Sequence, residues 1–494
     1  MSIKFSEMVA MIREKVPCAV LSGGEDPLLS EVVSDSRQIT SDKEGGGTLF
    51  CCITGETSDG HDYAAQAEKQ GARALLCERA VDSPLPMIVV PFVRDVMGDV
   101  AAAVYGHPAE GLLMVGVTGT NGKTTTTYIL RSILQAAGLR SGLLGTIIES
   151  DGVTERDADR TTPESCVIQR QLAAMLKNGC KACVMETSSH GLFLGRLRGA
   201  RYDVPVFTNL NPEHLDFHKD MENYFQAKRL LFTHYAKPDF RGAANAGDPY
   251  GKRLVEEFPR NIRGFSLENV PEWSTSLSGT EMTVKMDGFP ELRLKSPLVG
   301  AFNVWNVLCA VSALRGRVDD GAIVDGVASI PQVPGRLERH ELPNGACCFI
   351  DFAHTPSALR NVLSTVRGLT KGRVIASFGH GGGRYPLNRP ELGKAAAELA
   401  DELIITMDNP RDEDPADIAR AIEQGYRDAG GTKSEIILDR KDAIASALSR
   451  LGPDDVLVLT GKGPEKYLQI GKTKYPYSDA ETVESWIQGK GGRA

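Results

Sequence analysis

Eleven residues, Val115-Gly116-Val117-Thr118-Gly119-Thr120-Asn121-Gly122-Lys123-Thr124-Thr125, set the terms for the rest of this chain. A short apolar run, 112–117, predicts a strand, and 125–136 predicts a helix. Strand, glycine-rich turn and helix in that order aim backbone N–H groups and a helix N-terminus at an anion. In that frame Lys123 supplies a positive charge for the outer phosphates, and Thr124 offers its hydroxyl to Mg²⁺. The stretch Gly119 to Thr124 is tighter than the strict G-x-x-x-x-G-K-[ST] pattern, whose first glycine would fall at Val117. A glycine turn bearing a surface lysine is the bland alternative, but it needs neither the strand before nor the helix after. The expectation is a site for a nucleoside triphosphate.

A chain of 494 residues is too long for one core, and its size suggests about three domains. No apolar run approaches the ~20 residues of a membrane span, and Met1-Ser2-Ile3-Lys4-Phe5 lacks the apolar core of a secretory signal. A formal net charge of −8 argues against a general nucleic-acid binder. The ten cysteines are scattered, so no disulfide framework is expected. Cys180-Lys181-Ala182-Cys183 has no second pair to complete a zinc site, and it runs into an apolar stretch, so it reads as buried strand cysteines. The expected compartment is the cytoplasm.

Residues 1–109 read as a small α/β unit, with strands at 48–53 and 87–93 around a helix at 63–70. Ser34-Asp35-Ser36-Arg37 inside it reads, alone, as a solvated turn. Gly106-His107-Pro108 looks like a linker into a central segment, 110–333, with strands at 141–148, 182–185 and 204–207. Alternating strands and helices imply a mostly parallel, doubly wound sheet whose ligands lie beyond the carboxyl ends of the strands. Glu186-Thr187-Ser188-Ser189-His190 and Thr208-Asn209-Leu210-Asn211 fall there. Pro331 and Pro334 mark the next boundary, and 334–494 reads as a second open α/β sheet. Its strands at 346–352, 374–378, 403–407, 435–438 and 456–459 end in polar loops, among them Asp408-Asn409-Pro410-Arg411 and Gly461-Lys462-Gly463. A G-x-G-x-x-G fingerprint is absent, so a redox fold is not supported.

Mg²⁺ beside a phosphate needs oxygen ligands that leave room for water. Thr124, Glu186 and the group His214-Leu215-Asp216-Phe217-His218 are candidates, although the histidines alone read as loop residues. Lys228, fourteen positions past His214, would by itself be a solvated helical lysine.

Taken together, the phosphate loop, Glu186-Thr187-Ser188-Ser189-His190-Gly191, Thr208-Asn209-Leu210 and His214-Leu215-Asp216 resemble the Mur ligases, most closely those of the MurE type. The resemblance covers nearly the whole chain. It continues through Gly300-Ala301-Phe302-Asn303-Val304-Trp305-Asn306, Val333-Pro334-Gly335-Arg336-Leu337-Glu338 and Asp351-Phe352-Ala353-His354-Thr355-Pro356. It implies a three-domain α/β ligase: a uridine-nucleotide domain over 1–109, a central P-loop ATPase domain over 110–333, and a Rossmann-like amino-acid domain over 334–494. The implied reaction adds a diamino acid to UDP-MurNAc-L-Ala-D-Glu with ATP and Mg²⁺, through an acyl phosphate, in a monomeric cytoplasmic enzyme of peptidoglycan precursor synthesis.

By position, the resemblance assigns Ser36, Thr161, Thr162, Ser188 and Arg196 to the UDP-dipeptide. It assigns Gly119, Thr120, Asn121, Gly122, Lys123, Thr124, Thr125, Asn303, Asn306, Arg336 and His354 to ATP. Thr124, Glu186, His214 and a carbamylated Lys228 would serve the metal, with Lys123, Lys228, Glu186 and His214 as the catalytic set. Arg389, Asp408, Asn409, Pro410, Arg411, Gly461 and Glu465 would hold the amino acid. Two positions depart from the family pattern: Gly383 stands where an acid precedes the loop arginine, and Leu194 where a glutamine is usual. meso-Diaminopimelate carries a carboxylate that L-lysine lacks, and a guanidinium fork such as that of Arg411 matches it with two parallel hydrogen bonds. The expected substrate is therefore diaminopimelate. L-Lysine, or a MurF- or folylpolyglutamate-type ligase, is the alternative.

Overall fold

The computed structural model describes residues 2–491 apart from 18, 24, 40–45 and 56–57. The chain groups into two compact units, Met1–Val270 with Trp305–Val327, and Pro271–Val304 with Ala328–Ala494.

The first unit holds two sheets. The smaller has strand order Ile3–Lys4, Leu28–Val33, Gly47–Cys51, Ala72–Cys77, Met87–Val89, Val20–Ser22, parallel except at its two edges. The larger runs Glu155–Asp157, Ile148–Ser150, Ser141–Leu144, Ala182–Glu186, Leu113–Thr118, Val204–Phe207, Gly242–Asn245, Ile262–Phe265. Six of its strands are parallel, and an antiparallel pair closes one edge. Strands this buried on both faces are built from near-continuous apolar residues such as Met114, Val115 and Val117. The loops after Leu113–Thr118, Ala182–Glu186 and Val204–Phe207 leave adjacent strands in one direction, so their polar residues must converge.

The strand expected over 141–148 stops at Leu144. A Cβ on the next residue, Gly145, would lie 2.7 Å from Glu186 Oε1, so the chain turns there to make room for the carboxylate. Gly242–Asn245 and Ile262–Phe265 were not anticipated. Gly242 has no room for a side chain, since its Cβ would meet the Pro205 carbonyl at 2.3 Å.

The second unit contains an antiparallel three-stranded sheet, Glu272–Ser276, Gly279–Val284 and Leu292–Ser296, also absent from the sequence reading. Its main sheet has the order Glu338–Glu341, Cys347–Asp351, Val456–Thr460, Val374–Phe378, Glu402–Ile405, Ser434–Ile436, parallel but for the first strand. Helices Asn388–Leu399 and Pro415–Asp428 touch backbone to backbone at two glycines. A Cβ on Gly393 would lie 2.0 Å from the Ile422 carbonyl, and one on Gly425 2.1 Å from that of Pro390. This contact brings Arg389, in the first helix, to Glu413, just ahead of the second. Behind the strand ends, a buried Arg440–Asp479 ion pair at 2.7 Å also donates from Arg440 to the carbonyls of Thr460 and Met407. A buried guanidinium needs such a full set of acceptors.

Nine cysteines are buried and free among the described residues, Cys180 and Cys183 included. No described helix is long and apolar enough to cross a membrane.

Candidate active site

The loop after Leu113–Thr118 leads directly into helix Lys123–Ala136, with Gly122 as its N-cap. Gly119 (φ 149°) and Gly122 (φ 84°) take conformations that side chains resist. They are also crowded: Cβ atoms there would lie 1.9 Å from Thr208 Oγ1 and 2.4 Å from Asn306 Oδ1. The adjoining loop clamps the turn from the side. Asn121 N donates to Asn209 Oδ1 at 2.9 Å, while Thr208 Oγ1 and Asn209 Nδ2 donate to the Asn121 carbonyl at 2.7 and 3.1 Å. Thr120 Oγ1 donates to the Asn211 carbonyl at 3.2 Å, and Thr125 is buried in the helix. Lys123 is half-buried, and its Nζ bonds the carbonyls of Gly119 and Thr120 at 3.0 and 2.8 Å.

Glu186, 1% exposed, is the hub beside this loop. It accepts from Thr124 Oγ1 at 3.1 Å, from Thr146 N at 2.8 Å and from Thr146 Oγ1 at 3.0 Å. Thr146 Oγ1 lies 3.1 Å from Thr161 Oγ1. Thr162 Oγ1 donates to the Glu186 carbonyl at 2.9 Å and accepts from Ser188 N at 3.0 Å, and Arg196 Nη1 reaches the Thr162 carbonyl at 3.2 Å. The structure therefore unites Thr124, Glu186, Thr161, Thr162, Ser188 and Arg196 in one continuous network. Glu164 joins it as the acceptor of three arginines: Arg94 at 3.0 Å, Arg196 at 3.2 Å and Arg160 at 3.4 Å. Arg94 lies in helix Arg94–Val104, so this carboxylate ties the smaller sheet's helix to the network. Ser36 is buried in the short helix Ser36–Gln38, apart from that network.

Lys228 is 1% exposed, in helix Met221–Thr233. Its Nζ donates to the Gly119 carbonyl at 2.8 Å and lies 4.5 Å from the Tyr224 ring centroid. Burial holds its pKa well below the usual lysine range, Lys123 pushes the same way, and Glu213 opposes them. His214 is exposed and left-handed (φ 57°), with its ring 4.8 Å from that of His190. Burial first, then the charge of His214, lowers the pKa of His190. No group of three His, Cys, Asp or Glu side chains suited to a metal occurs among the described residues. The oxygens of Thr124 and Glu186 nonetheless fit an ion that takes few protein ligands and keeps its waters.

The expected ATP residues divide between the two units: 119–125 and Asn306 belong to the first, and Asn303, Arg336 and His354 to the second. Asn303 Nδ2 donates to the Val299 carbonyl at 2.9 Å. The Arg336 guanidinium lies 5.8 Å from the Phe352 ring, which is 5.1 Å from that of the exposed His354.

The second unit gathers the expected amino-acid residues at the ends of Val374–Phe378, Glu402–Ile405 and Val456–Thr460, three adjacent strands. Asn409 Nδ2 donates to Glu465 Oε2 at 2.9 Å, and Asn409 N to Asp408 Oδ1 at 2.7 Å. Gly461 (φ 100°) has no room for a Cβ, which would stand 2.7 Å from Asp408 Oδ2. The Pro410 carbonyl lies where a Cβ on Gly382 would be. Arg411 is held in a left-handed conformation (φ 52°) by the hairpin Tyr467–Ile470/Thr473–Pro476, through Arg411 N to the Gln469 carbonyl and Gly471 N to the Arg411 carbonyl. Its guanidinium donates to the Gly382 carbonyl and has no acidic partner among the described residues. Arg389 is buried and bonds Glu413 at 2.7 Å. Sequence reasoning passed over Lys462, which is fully enclosed and paired with Glu465 at 2.8 Å. The loop Gly461-Lys462-Gly463 was expected at a strand end, but nothing local marks its lysine as buried rather than solvated.

Residues 117–314 match the Mur ligase middle domain, residues 335–463 the Mur ligase glutamate ligase domain, and residues 30–105 the Mur ligase family catalytic domain. The chain is 37% identical over 479 residues to the UDP-N-acetylmuramoyl-L-alanyl-D-glutamate–2,6-diaminopimelate ligase of Bacillus licheniformis, covering 94% of this chain and 96% of that one. It is 39% identical over 473 residues to the enzyme of the same name from Halalkalibacterium halodurans, covering 94% and 95%. A solved UDP-N-acetylmuramoyl-L-alanyl-D-glutamate–2,6-diaminopimelate ligase matches with a TM-score of 0.70 at 28% identity, over 99% of this chain and 100% of the other.

Proposed function

The chain belongs to the Mur ligase family, and on that premise we propose that it joins meso-2,6-diaminopimelate to UDP-N-acetylmuramoyl-L-alanyl-D-glutamate, with ATP converted to ADP and phosphate. The dipeptide carboxylate attacks the γ-phosphorus, an O–P bond forms as the bond to ADP breaks, and the amine of the amino acid then displaces phosphate from the acyl carbon. The first step brings two anions together. Lys123 and the loop N–H groups are suited to neutralise them. Thr124 and Glu186 would hold Mg²⁺, with His214 and a carbamylated Lys228 nearby in the scheme; bound there, Mg²⁺ would supply charge neutralisation for the phosphates. Burial favours the neutral amine of Lys228, the form that adds to CO₂ with loss of a proton. Thr161, Thr162, Ser188 and Arg196 would hold the dipeptide, and Ser36 the uridine nucleotide. The reading carries with it a cytoplasmic, monomeric enzyme.

Arg411 carries the choice of amino acid. Its backbone is strapped on both sides, while among the described residues its fork donates to the Gly382 carbonyl alone, leaving two-pronged capacity for a carboxylate. The experiment is ADP release with the UDP-dipeptide against a panel of diamino acids. Diaminopimelate should give the highest kcat/KM, and equal or better efficiency with L-lysine would overturn the assignment.

A further inference from the structure

Lys462 follows strand Val456–Thr460 and has no exposed surface. Its Nζ donates to Asn409 Oδ1 at 2.9 Å and to Glu465 Oε2 at 2.8 Å, lies 3.8 Å from Asp408 Oδ1, and stands 4.9 Å from the Tyr467 ring centroid. Lysine is rarely enclosed unless paired, and here its nitrogen reaches three oxygens and a ring face. An ammonium can only donate, so with the Gln469 N–H it holds the Asn409 amide oxygen on its own side. Oδ1 faces Lys462, where it also accepts from Gln469 N at 2.8 Å, and Nδ2 is left to face Glu465. Glu465 Oε2 therefore receives two donors, while Oε1 takes the Tyr467 hydroxyl at 3.2 Å. The carboxylate expected to meet the substrate's distal ammonium already holds one that belongs to the chain.

We propose that Lys462 is a positioning and specificity residue, a built-in ammonium that fixes Asn409 and Glu465 and sets the charge that an incoming amino acid must match. This rests on the amino-acid reading above. The distal end of diaminopimelate is a zwitterion with no net charge, whereas that of L-lysine carries one positive charge. With Lys462 in place, Asp408 and Glu465 are partly neutralised, and an unaccompanied ammonium gains little. Making position 462 neutral leaves the site one charge more negative, which favours L-lysine.

The test is steady-state ADP release with both amino acids, at saturating ATP and UDP-dipeptide, for the unmodified enzyme, Lys462→Met, Lys462→Gln and Lys462→Arg. Both neutral variants should raise KM for diaminopimelate and shift the diaminopimelate-to-lysine ratio of kcat/KM toward lysine by about tenfold or more. KM for the UDP-dipeptide should stay within about twofold. Lys462→Arg, which keeps the charge, should hold the ratio within about threefold. Glutamine still offers Glu465 a donor and covers the case in which methionine does not fold. An unchanged ratio in a folded neutral variant, or an arginine variant that behaves like the neutral ones, would overturn the proposal. Failure of both neutral variants to fold would assign Lys462 to scaffolding and overturn it too. If the unmodified enzyme does not use diaminopimelate, it is the functional reading that fails.

Discussion

Lys228 donates its side-chain nitrogen to the carbonyl of Gly119, 109 positions away, at 2.8 Å. The contact sets a buried amine against the first glycine of the phosphate loop, at a position where a solvated helical lysine would have no reason to be. If the amine becomes a carbamate, its charge changes sign and it faces the metal side of the loop. Lys228→Ala should then lower kcat by about 10²-fold or more. Calorimetric binding of an ATP analogue should change little, and added short-chain carboxylates should restore part of the rate. Near-normal turnover in the alanine variant would exclude this role.

Gly122→Ala tests the loop itself. An alanine there must hold φ near 84° and push against Asn306 Oδ1. The left-handed backbone alone costs about 1–2 kcal/mol. Affinity for ATP analogues should fall by about tenfold or more, while affinity for the UDP-dipeptide is retained.

Arg411→Ala should raise KM for diaminopimelate by about 10²-fold, because the carboxylate would lose its proposed bidentate partner. Arg411→Lys should not restore it, since a point charge cannot reproduce the fork. Recovery with lysine would mean that only charge is read.

Glu164→Gln leaves Arg94, Arg160 and Arg196 facing one another without their shared anion. KM for the UDP-dipeptide should rise by about tenfold, with KM for the amino acid unaffected. Equal effects on both would point to general loosening instead.

His218 supplies a pH signature. Burial above all, with smaller contributions from the neighbouring His190 and Lys228, pushes it down to about 4 from an ordinary 6.5. The folded state therefore holds this ring neutral, while the unfolded chain takes up a proton near the ordinary value. Stability from His218 is complete above about 6.5 and is lost as pH falls toward about 4. The melting temperature should drop between pH 6.5 and 4.5, and less steeply in His218→Gln, which keeps a partner for Ser189. Parallel curves for the two proteins would refute this origin.

Local pattern carried the main strands and the phosphate loop, because apolar runs such as 113–117 and 456–459 can only be buried strands when glycines follow them. Gly242-Ala243-Ala244-Asn245 escaped because its small residues have no strand propensity; two flanking strands impose its conformation. Leu292-Arg293-Leu294-Lys295-Ser296 did carry the signal, a clean two-residue alternation of buried and exposed side chains. The site split along the same line. Glu186 ends its strand and Thr124 stands in the first turn of the helix after the loop, so both were legible from position, whereas Lys228 meets Gly119 across 109 positions and Lys462 meets Asn409 across 53. No local window contains both ends of either contact, although the Glu465 partner of Lys462 lies only three positions on.

The Arg440–Asp479 pair ties the loops of the second unit to the chain's final helix. Arg440 holds the carbonyls of Thr460 and Met407, from which the loops proposed to hold the amino acid depart, and its only carboxylate is Asp479 among the described residues. If those loops closed without Asp479, Arg440 would be buried without its counter-ion. An unpaired buried charge of that kind costs about 3–5 kcal/mol. The first residue of the final helix, Asp479–Gly491, is therefore the counterweight for loops that leave strands earlier in the chain, and shortening the chain before it would leave them drawn but not fastened.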